Sequence, residues 1–354
     1  MRIGIDTQST LGRKTGIGLY TANLLRALAR VAPQHEYVEL SWGRAAELRT
    51  DQRLRWQQFE LPRRARATGV DLLHVTGFDA PLWRPCSVVL TVHDLIGLLF
   101  PTNLPPVSRF YWSRWMPRTI RWADRIIAVS RHTQSDLNRV LGIPEDRIEV
   151  IHNGVNEVFQ PLQDHEALET VRRKYGLPPT IILYLGTLEP RKGLDTLITA
   201  YGGLAPDAPY DLVIAGKRGW YTEPLFQQVE ALGLGRRVHF TDYIPDKDLP
   251  ALYNLGKVFV YPSRYEGFGL PALEAMACGS PVVCTDAASL PEIVGDAALL
   301  VPPDDADALA AALRRVLDDG GLQAKMRARG LERARRFTWE ETARRTAQVY
   351  EEMR

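Results

Sequence analysis

The sequence of 354 residues is short of cysteine and contains no long apolar run. Its three cysteines, Cys86, Cys278 and Cys284, have neither the spacing of metal ligands nor that of a paired framework. We therefore expect free thiols in a reducing compartment and not a disulfide scaffold. No apolar run approaches the ~20 residues of a membrane-spanning helix, and the first residues lack the apolar core of a signal peptide. These absences predict a cytoplasmic protein that is at most peripheral to the inner face of a membrane.

The net charge is also small, at +2, but the charged residues are unevenly distributed along the chain. Residues 1–160 contain 21 arginines and lysines against 15 aspartates and glutamates, and Lys14 is the single lysine among them. An arginine-rich half can face phosphates or anionic lipid head groups, or arginine can simply be the preferred surface cation of this chain. The excess is modest for a nucleic-acid-binding protein, so we expect no nucleic-acid partner.

Compact apolar runs alternate with helical patterns along both halves of the chain. Runs such as Ser87–Val92 are typical of strands in parallel sheets that are covered on both faces. Residues 153–162 are rich in turn-forming residues, and the alternation restarts at Thr180. The length suits two domains of about 150–180 residues each. The sequence therefore predicts an α/β fold of two doubly wound, Rossmann-like domains that face each other across a cleft. The predicted N-terminal domain spans residues 1–160, the C-terminal domain spans 161–337, and a terminal helix spans 338–354.

The most informative stretch is 261–285, which is predicted to be a strand end, a polar loop, a short helix and another strand. It contains two carboxylates eight residues apart, Glu266 in the loop and Glu274 on the helix. Carboxylates can hold hydroxyls, and backbone N–H groups at a helix start can hold a phosphate, so the stretch suits a sugar nucleotide. Alternatively, both glutamates are solvated surface charges. The N–H groups concerned belong to Phe268, Gly269 and Leu270.

A second unusual stretch, 109–125, interleaves aromatic and basic residues at helical spacing. Such a pattern predicts a helix at a membrane surface or a platform for an acceptor molecule. A core helix whose arginines face solvent would have the same pattern. The residues are Trp112, Trp115 and Trp122, with Arg109, Arg114, Arg118 and Arg121 between and around them.

The block EGFGLPALEAMACGSPVV, with Glu266 and Glu274 separated by seven residues, resembles the signature of retaining glycosyltransferases of family 4, which have the GT-B architecture. Residues 186–193, GTLEPRKG, resemble the donor-phosphate loop of that family. The resemblance extends over nearly the whole chain. The residues VHDL at 92–95, followed by Phe100 and Pro101, resemble the subset that includes bacterial polysaccharide and O-antigen mannosyltransferases.

The resemblance implies a catalytic role for two adjacent cations. Arg191 and Lys192 would clamp the diphosphate of the donor and stabilise the departing nucleoside diphosphate, because paired cations suit a developing dianion. Glu274 would accept hydrogen bonds from the ribose hydroxyls. Glu266 would contact hydroxyls of the transferred sugar.

The resemblance also assigns roles outside this block. Gly16 and Gly18 would let a loop of the first domain close over the diphosphate. His93 would contact the donor sugar near the reaction centre, although a lone histidine after a strand is more often structural. The backbone at Tyr243 and Ile244 would face the nucleobase, and the terminal helix would pack back on the N-terminal domain.

The implied activity is transfer of a hexose from a nucleotide sugar to a saccharide or lipid-linked acceptor, with retention of configuration through a front-face mechanism. The subset favours GDP-mannose as the donor, with UDP-glucose as the alternative. No cofactor and no metal are expected, because the two Asp-x-Asp sequences, at 246–248 and 305–307, are predicted to start helices. A sugar-nucleotide epimerase or a phosphorylase with the same fold and a non-catalytic sugar-nucleotide-binding protein remain the competing hypotheses.

Overall fold

The computed structural model describes residues 1–12, 16–43, 48–77, 79–100, 109–204, 209–219 and 222–354. Its tertiary contacts divide the chain into two units, each with its own parallel sheet of six strands. The first unit consists of Met1–Gly154 and Phe337–Arg354, and the second of Val155–Arg336. The predicted divisions were after residues 160 and 337. The prediction of two doubly wound α/β domains is confirmed.

The first sheet has the strand order β2-β1-β3-β4-β5-β6, and all of its pairs are parallel. Its strands are β1 Arg2–Asp6, β2 Glu36–Leu40, β3 Leu72–Val75, β4 Ser87–Val92, β5 Arg125–Ala128 and β6 Ile148–Val150. The helices of this unit are α1 Gly16–Val31, α2 Thr50–Arg55, α3 Leu61–Thr68, α4 Ile96–Leu99, α5 Met116–Trp122, α6 Arg131–Leu141 and, from the chain end, α15 Trp339–Glu352. Shorter turns are the 3₁₀ turns Gln8–Thr10 and Glu145–Arg147 and the π-helical turns Trp56–Glu60 and Tyr111–Trp115.

The second sheet has the order β12-β11-β10-β7-β8-β9, again with parallel pairs throughout. Its strands are β7 Ile181–Leu185, β8 Asp211–Ala215, β9 Val238–Phe240, β10 Gly256–Tyr261, β11 Val282–Thr285 and β12 Ala298–Val301. Its helices are α7 His165–Tyr175, α8 Leu194–Gly202, α9 Glu223–Ala231, α10 Leu249–Leu255, α11 Leu270–Ala277, α12 Leu290–Val294, α13 Ala306–Asp318 and α14 Gly320–Ala334. The 3₁₀ turns are Pro190–Lys192, Asp246–Asp248 and Gly295–Ala297.

Successive residues of a strand point to opposite faces, and in the first sheet each face is covered by its own apolar core. On β3, Leu72 is buried on the face covered by α1 and α15, and Leu73 is buried on the face that carries Trp56 and Tyr111. The strand β2 was not predicted. Its sequence holds two glutamates, because it is an edge strand with one face and one edge near solvent.

The terminal helix α15 belongs to the first unit. Thr338 caps it, since the Oγ1 atom of Thr338 accepts a hydrogen bond from the N–H of Glu341 at 3.2 Å. A Cβ atom at Gly154 would lie 2.3 Å from the backbone nitrogen of Trp339, so only glycine permits this close approach. Thr342 also donates to the carbonyl of His152 at 2.7 Å.

The aromatic and basic stretch 109–125 is divided between core and surface. Trp112 and Trp115 pack against the core of the first unit, as the core-helix interpretation requires. Trp122, in contrast, is 50% exposed. Within the described residues, no helix is both long and apolar enough to cross a membrane.

Candidate active site

The candidate site of the second unit lies at the point in the sheet where the order of the strands reverses. From β7, the chain adds β8 and β9 on one side and then β10, β11 and β12 on the other. In open parallel sheets, ligands bind at the carboxyl ends of the strands on either side of such a switch point. The loops that follow β7 and β10 carry the residues 186–193 and 262–269, which are the two segments singled out in the sequence.

These two loops are in direct contact, and glycine makes the contact possible. Gly193 has a φ of +66°, and a Cβ atom there would lie 2.1 Å from the carbonyl oxygen of Pro262. The N–H of Arg264 donates to the carbonyl of Arg191 at 2.8 Å. The cationic turn Pro190–Lys192 is therefore held against the loop that carries Glu266.

The Glu266 carboxylate is the centre of this contact. Its Oε1 atom accepts hydrogen bonds from Lys192 Nζ at 2.5 Å and from Arg191 Nη1 at 3.3 Å. It also accepts from the hydroxyls of Tyr261 at 2.9 Å and Ser263 at 2.6 Å. The other oxygen, Oε2, accepts no hydrogen bond from a described residue. One carboxylate oxygen thus collects four donors, and two of them are cations.

Burial and charge act in opposite directions on this pair. Burial raises the pKa of Glu266, but the charges of Lys192 and Arg191 outweigh it and lower the pKa to about 2. Burial lowers the pKa of Lys192, and the attraction of Glu266 offsets part of that shift. Glu266 is therefore a carboxylate at neutral pH. Lys192 and Glu266 are only 6% and 8% exposed, so little water screens their interaction.

Three further carboxylates, Glu189, Asp195 and Asp304, and one arginine, Arg264, were assigned no role from the sequence. Glu189 accepts from Arg191 Nε at 3.0 Å. Arg264 forms ion pairs with Asp195 at 2.7 Å and with Asp304 at 2.5 Å, and it also donates to the carbonyl of Pro190. Arg264 therefore ties the cationic turn to the start of α8. Because its partners lie 69 and 40 residues away in the sequence, no local pattern reveals them.

Glu274 lies on the second turn of α11, and its environment differs from that of Glu266. Its Oε2 atom accepts a hydrogen bond from the hydroxyl of Tyr253 at 2.8 Å. The pKa of Glu274 is raised to about 7. Burial is the main cause and the nearby charge of Asp246 adds to it, whereas the hydrogen bond from Tyr253 acts in the opposite direction. The structure therefore gives the two glutamates opposite ionisation properties.

The start of α11 is shaped by backbone geometry. Gly269 has a φ of +99°, and a Cβ atom there would lie 2.6 Å from Leu290 Cδ2. The hydroxyl of Ser289 donates to the carbonyls of Glu266 and Phe268 at 3.0 and 2.9 Å. These contacts fix the direction of the N–H groups of Gly269 and Leu270, at the end of the helix where an anion is favoured.

The segment predicted to face the nucleobase follows β9. Asp242 has a φ of +54°, and its carbonyl accepts a hydrogen bond from the N–H of Gly216 at 2.9 Å. Ile244 is buried, whereas Tyr243 is 41% exposed. Because the segment follows β9, it begins at the carboxyl ends of the parallel strands, as the two loops after β7 and β10 do. Its role in binding a base stays a prediction.

His93 follows β4 in the first unit. Its Nε2 atom lies 2.9 Å from the carbonyl oxygen of Thr76, which can only accept, so Nε2 carries the proton and Nδ1 is unprotonated in the neutral ring. Tyr20 packs edge-on against the imidazole with ring centroids 4.8 Å apart. Burial lowers the pKa of His93 to about 4. His93 is therefore a neutral imidazole at pH 7.

Gly16 and Gly18, to which the resemblance gives a role in closing a loop over the diphosphate, lie in the first turn of α1, which begins at Gly16. Their role at the diphosphate stays a prediction. Neither has a positive φ, so neither needs to be glycine for its backbone conformation. Their N–H groups lie at the helix N-terminus, which favours an anion. The residues 13–15, which precede them, lie outside the described residues.

Aspartates of both Asp-x-Asp sequences contact other parts of the protein at the start of a helix. Asp246–Asp248 forms a 3₁₀ turn ahead of α10, and Asp248 pairs with Lys174 at 2.5 Å. Asp305 caps α13 by accepting from the N–H of Ala308 at 2.8 Å. In the described part of the chain, no group of three or more histidines, cysteines or carboxylates could hold a metal ion. Metal independence of the reaction stays a prediction.

Comparison with known proteins identifies the class of protein. Residues 15–159 match the family model described as Glycosyltransferase Family 4, and residues 169–333 match the model described as Glycosyl transferases group 1. The chain is 38% identical over 265 residues to the O-antigen chain mannosyltransferase B of Escherichia coli, covering 74% of this chain and 69% of that protein. The chain belongs to the family 4 glycosyltransferases, and it is a glycosyltransferase.

Two further similarities are to a second mannosyltransferase and to a solved structure. The serotype-specific mannosyltransferase WbdA of Escherichia coli is 34% identical over 267 residues, which are 73% of this chain but only 32% of WbdA. The solved structure of sucrose-phosphate synthase from Thermosynechococcus elongatus has a TM-score of 0.77 with 24% identity, covering 99% of this chain and 98% of that one. The fold is therefore of the GT-B type.

Proposed function

We propose that this glycosyltransferase transfers a hexose from a nucleotide sugar to a saccharide or lipid-linked acceptor with retention of configuration. The observation that supports this proposal most directly is the cluster in which Arg191 and Lys192 both contact Oε1 of Glu266. Two cations fixed at the carboxyl ends of β7 and β10 suit the diphosphate of a donor, since that is where such sheets bind nucleotides. No described residue donates a hydrogen bond to the Oε2 atom of Glu266, while Oε1 accepts four, so Oε2 can accept a hydroxyl of the sugar.

The cations supply the main electrostatic stabilisation. As the bond between sugar and phosphate breaks, negative charge accumulates on the departing diphosphate. Donors fixed in advance at that position stabilise the transition state more than the bound substrate. Glu189 and Glu266 hold Arg191 and Lys192 in place, so little reorganisation is needed when the charge develops.

A front-face mechanism is favoured by the ionisation of Glu266. A carboxylate whose pKa is about 2 is a weak base at neutral pH, and its Oε1 atom is already occupied by four donors. Such a group is poorly suited to serve as the nucleophile or general base of a double displacement. We infer that the departing phosphate takes the acceptor proton and that Glu266 binds and orients the sugar.

GDP-mannose is the donor that we favour, because the O-antigen chain mannosyltransferase B and WbdA of Escherichia coli are among the relatives of this chain. UDP-glucose is the alternative. An epimerase would form its product without an acceptor, and a non-catalytic binding protein would not turn over the donor at all. The test is a thermal-shift screen of GDP-, UDP- and ADP-sugars, followed by transfer assays with the sugar that binds best. Absence of stabilisation by every nucleotide sugar would refute the proposal.

We further propose that the first unit contacts an anionic membrane surface. Trp83 and Trp122 are 45% and 50% exposed, and the guanidinium groups of Arg66 and Arg84 lie over their rings at 5.9 and 5.4 Å. Exposed tryptophans flanked by arginines suit the interface of an anionic bilayer. Co-sedimentation with phosphatidylglycerol vesicles is expected and should weaken in the Trp83→Ala, Trp122→Ala double variant. Equal binding to neutral phosphatidylcholine vesicles would count against this surface.

A further inference from the structure

Tyr261, the last residue of β10, has a hydroxyl that contacts two charged groups of the candidate site. Lys192 Nζ donates to this hydroxyl at 3.0 Å, and the hydroxyl donates to Oε1 of Glu266 at 2.9 Å. Because Nζ also donates to Oε1 at 2.5 Å, the three groups form a closed set of hydrogen bonds. We call it the Lys192–Tyr261–Glu266 triangle.

The direction of each hydrogen bond in the triangle is fixed by the chemistry of its members. An ammonium group only donates and an ionised carboxylate only accepts. The Tyr261 hydroxyl must therefore accept from Lys192 and give its own proton to Glu266. Burial and the charge of Glu266 raise the pKa of Tyr261 well above its ordinary value, so the hydroxyl keeps that proton at neutral pH.

Aromatic packing fixes the position of the Tyr261 hydroxyl. Residues two apart on a strand share a face, so Phe259 and Tyr261 lie side by side on β10, with ring centroids 5.8 Å apart and ring planes inclined by 23°. Tyr184, on the neighbouring strand β7, packs against Tyr261 at 6.2 Å with the same inclination. All three side chains are buried. Because close-packed rings have little room to move, the hydroxyl is an acceptor with a fixed position.

The ammonium group of Lys192 has three N–H bonds, and the triangle occupies two of them. No described residue accepts a hydrogen bond from the third. An ammonium group held by one acceptor can rotate about its Cε–Nζ bond, whereas one held by two fixed acceptors keeps its third N–H in a single direction. The hydroxyl of Tyr261 is the second acceptor, beside the Glu266 carboxylate. It therefore determines the direction of the N–H that remains for a ligand.

We propose that Tyr261 is a positioning residue of the transfer reaction, because its hydroxyl directs the third N–H of Lys192 toward the departing phosphate. The part of this proposal that concerns the phosphate rests on the function proposed above. The orientation of the ammonium group does not, because the triangle lies wholly within the second unit and can be observed without any reaction. A donor that is fixed before the reaction stabilises the developing charge more than a donor that must first reorient.

The kinetic test is Tyr261→Phe, which removes the hydroxyl and keeps the stacked ring. It should lower kcat about tenfold and change the KM for the donor by less than about twofold, because a fixed N–H acts mainly on the transition state. Tyr201→Phe is the matched control, at a buried tyrosine of the same unit whose hydroxyl donates to the carbonyl of Tyr210 at 2.9 Å. It should lose similar stability and keep kcat. An unchanged kcat in folded Tyr261→Phe, or an equal loss in Tyr201→Phe, would overturn the proposal.

A double variant separates positioning of Lys192 from a general structural role of Tyr261. If the hydroxyl acts through Lys192, Tyr261→Phe should have almost no further effect on kcat in a Lys192→Ala protein, since no N–H remains to be directed. Each single variant and the double variant are measured under the same conditions. A further tenfold loss of about the size seen in the single variant would show that the hydroxyl acts independently of Lys192, and it would overturn the proposal.

A second measurement needs neither catalysis nor a variant at Tyr261. NMR of protein containing isotope-labelled lysine should show, without any ligand, an ammonium signal whose hydrogens exchange slowly with water and which disappears in Lys192→Arg. Absence of this signal from the unchanged protein would overturn the proposal even if Tyr261→Phe does not fold. If the signal is present but no nucleotide sugar is turned over, the proposed function alone fails. If nucleotide sugars are turned over and Tyr261→Phe keeps its kcat, the positioning proposal alone fails.

Discussion

Arg264 and Asp195 form an ion pair in which one guanidinium nitrogen, Nη2, lies 2.9 and 2.7 Å from the two carboxylate oxygens. The same arginine donates through Nη1 to the carbonyl of Pro190 and through its backbone to the carbonyl of Arg191. It therefore anchors the turn that presents the two cations of the candidate site. Arg264 contacts neither Glu266 nor Lys192 through a described hydrogen bond, so we regard it as a positioning residue.

The first prediction concerns this anchor. Arg264→Met should lower kcat by about tenfold, because the cationic turn loses its attachment and Arg191 and Lys192 are less well aligned with the departing phosphate. Its effect on stability should be modest, since Asp195 is about half exposed and solvent screens the pair. Steady-state kinetics and a thermal melt measure the two effects. Arg264→Lys should restore part of kcat, because it can still pair with Asp195.

A matched control for Arg264 is Arg336→Met. Arg336 pairs with Glu332 on the surface of the second unit, 62% and 69% exposed, and its removal should leave kcat unchanged. Equal loss of kcat in both variants, or none in Arg264→Met, would show that the anchor does not position the turn.

The second prediction tests the clamp itself. Lys192→Ala should lower kcat by about a hundredfold or more, since removal of one preorganised donor costs about 3–4 kcal/mol in comparable sites. The exposed Lys325→Ala is the control and should retain full activity. Circular dichroism should confirm that both variants are folded. Near-normal turnover by folded Lys192→Ala would remove this lysine from the mechanism.

The third prediction follows from the raised pKa of Glu274. A ribose diol donates hydrogen bonds, and it therefore prefers the ionised carboxylate. Because burial raises this pKa to about 7, nucleotide affinity should increase as the pH rises from 6 to 8, and binding should release a proton near pH 7. Calorimetry of GDP or UDP in buffers of different ionisation enthalpy measures both effects. Glu274→Gln should bind more weakly and show neither dependence; if it keeps them, another group is responsible.

The same pKa shifts give a prediction for stability. The pKa of Glu266 in the folded protein is about 2, below its ordinary value of 4.5, so its contribution is present above pH 4.5 and is lost as the pH falls toward 2. The pKa of Glu274 is about 7, above 4.5, so its contribution is present below pH 4.5 and is lost as the pH rises toward 7. Melting temperatures of Glu274→Gln should therefore be less sensitive to pH between 4.5 and 7 than those of the unchanged protein. Identical pH profiles would contradict the buried position of this carboxyl group.

The last prediction concerns the terminal helix. The hydroxyl of Tyr350 lies 2.6 Å from Nδ1 of His74, and Nε2 of the same ring lies 2.8 Å from the hydroxyl of Thr91. All three groups are buried, so Tyr350→Phe should destabilise the protein by about 1–3 kcal/mol by leaving one ring nitrogen unpaired. Tyr243→Phe, at an exposed site, should change the melting temperature little. A Tyr350→Phe protein as stable as the control would mean that the pair contributes no stability.

Local sequence determined much of this protein. The alternation of apolar runs with helical patterns predicts two doubly wound domains, because each strand must be buried on both faces between helices. The positions of the two site loops follow from the same pattern, since they are the connections after β7 and β10. Gly279, predicted to end a helix, has a φ of +75° just after α11. These features depend on neighbours in the chain.

Tertiary structure alone decided the chemistry of the site. The sequence marks Glu266 and Glu274 as a pair, but packing separates them into a carboxylate held by Lys192 and a carboxyl group with a raised pKa. Packing also turned Trp112 and Trp115 toward the core and left Gln57 Oε1 without a partner. Side chains that are distant in sequence set these environments, and burial makes their effect large because water no longer screens it.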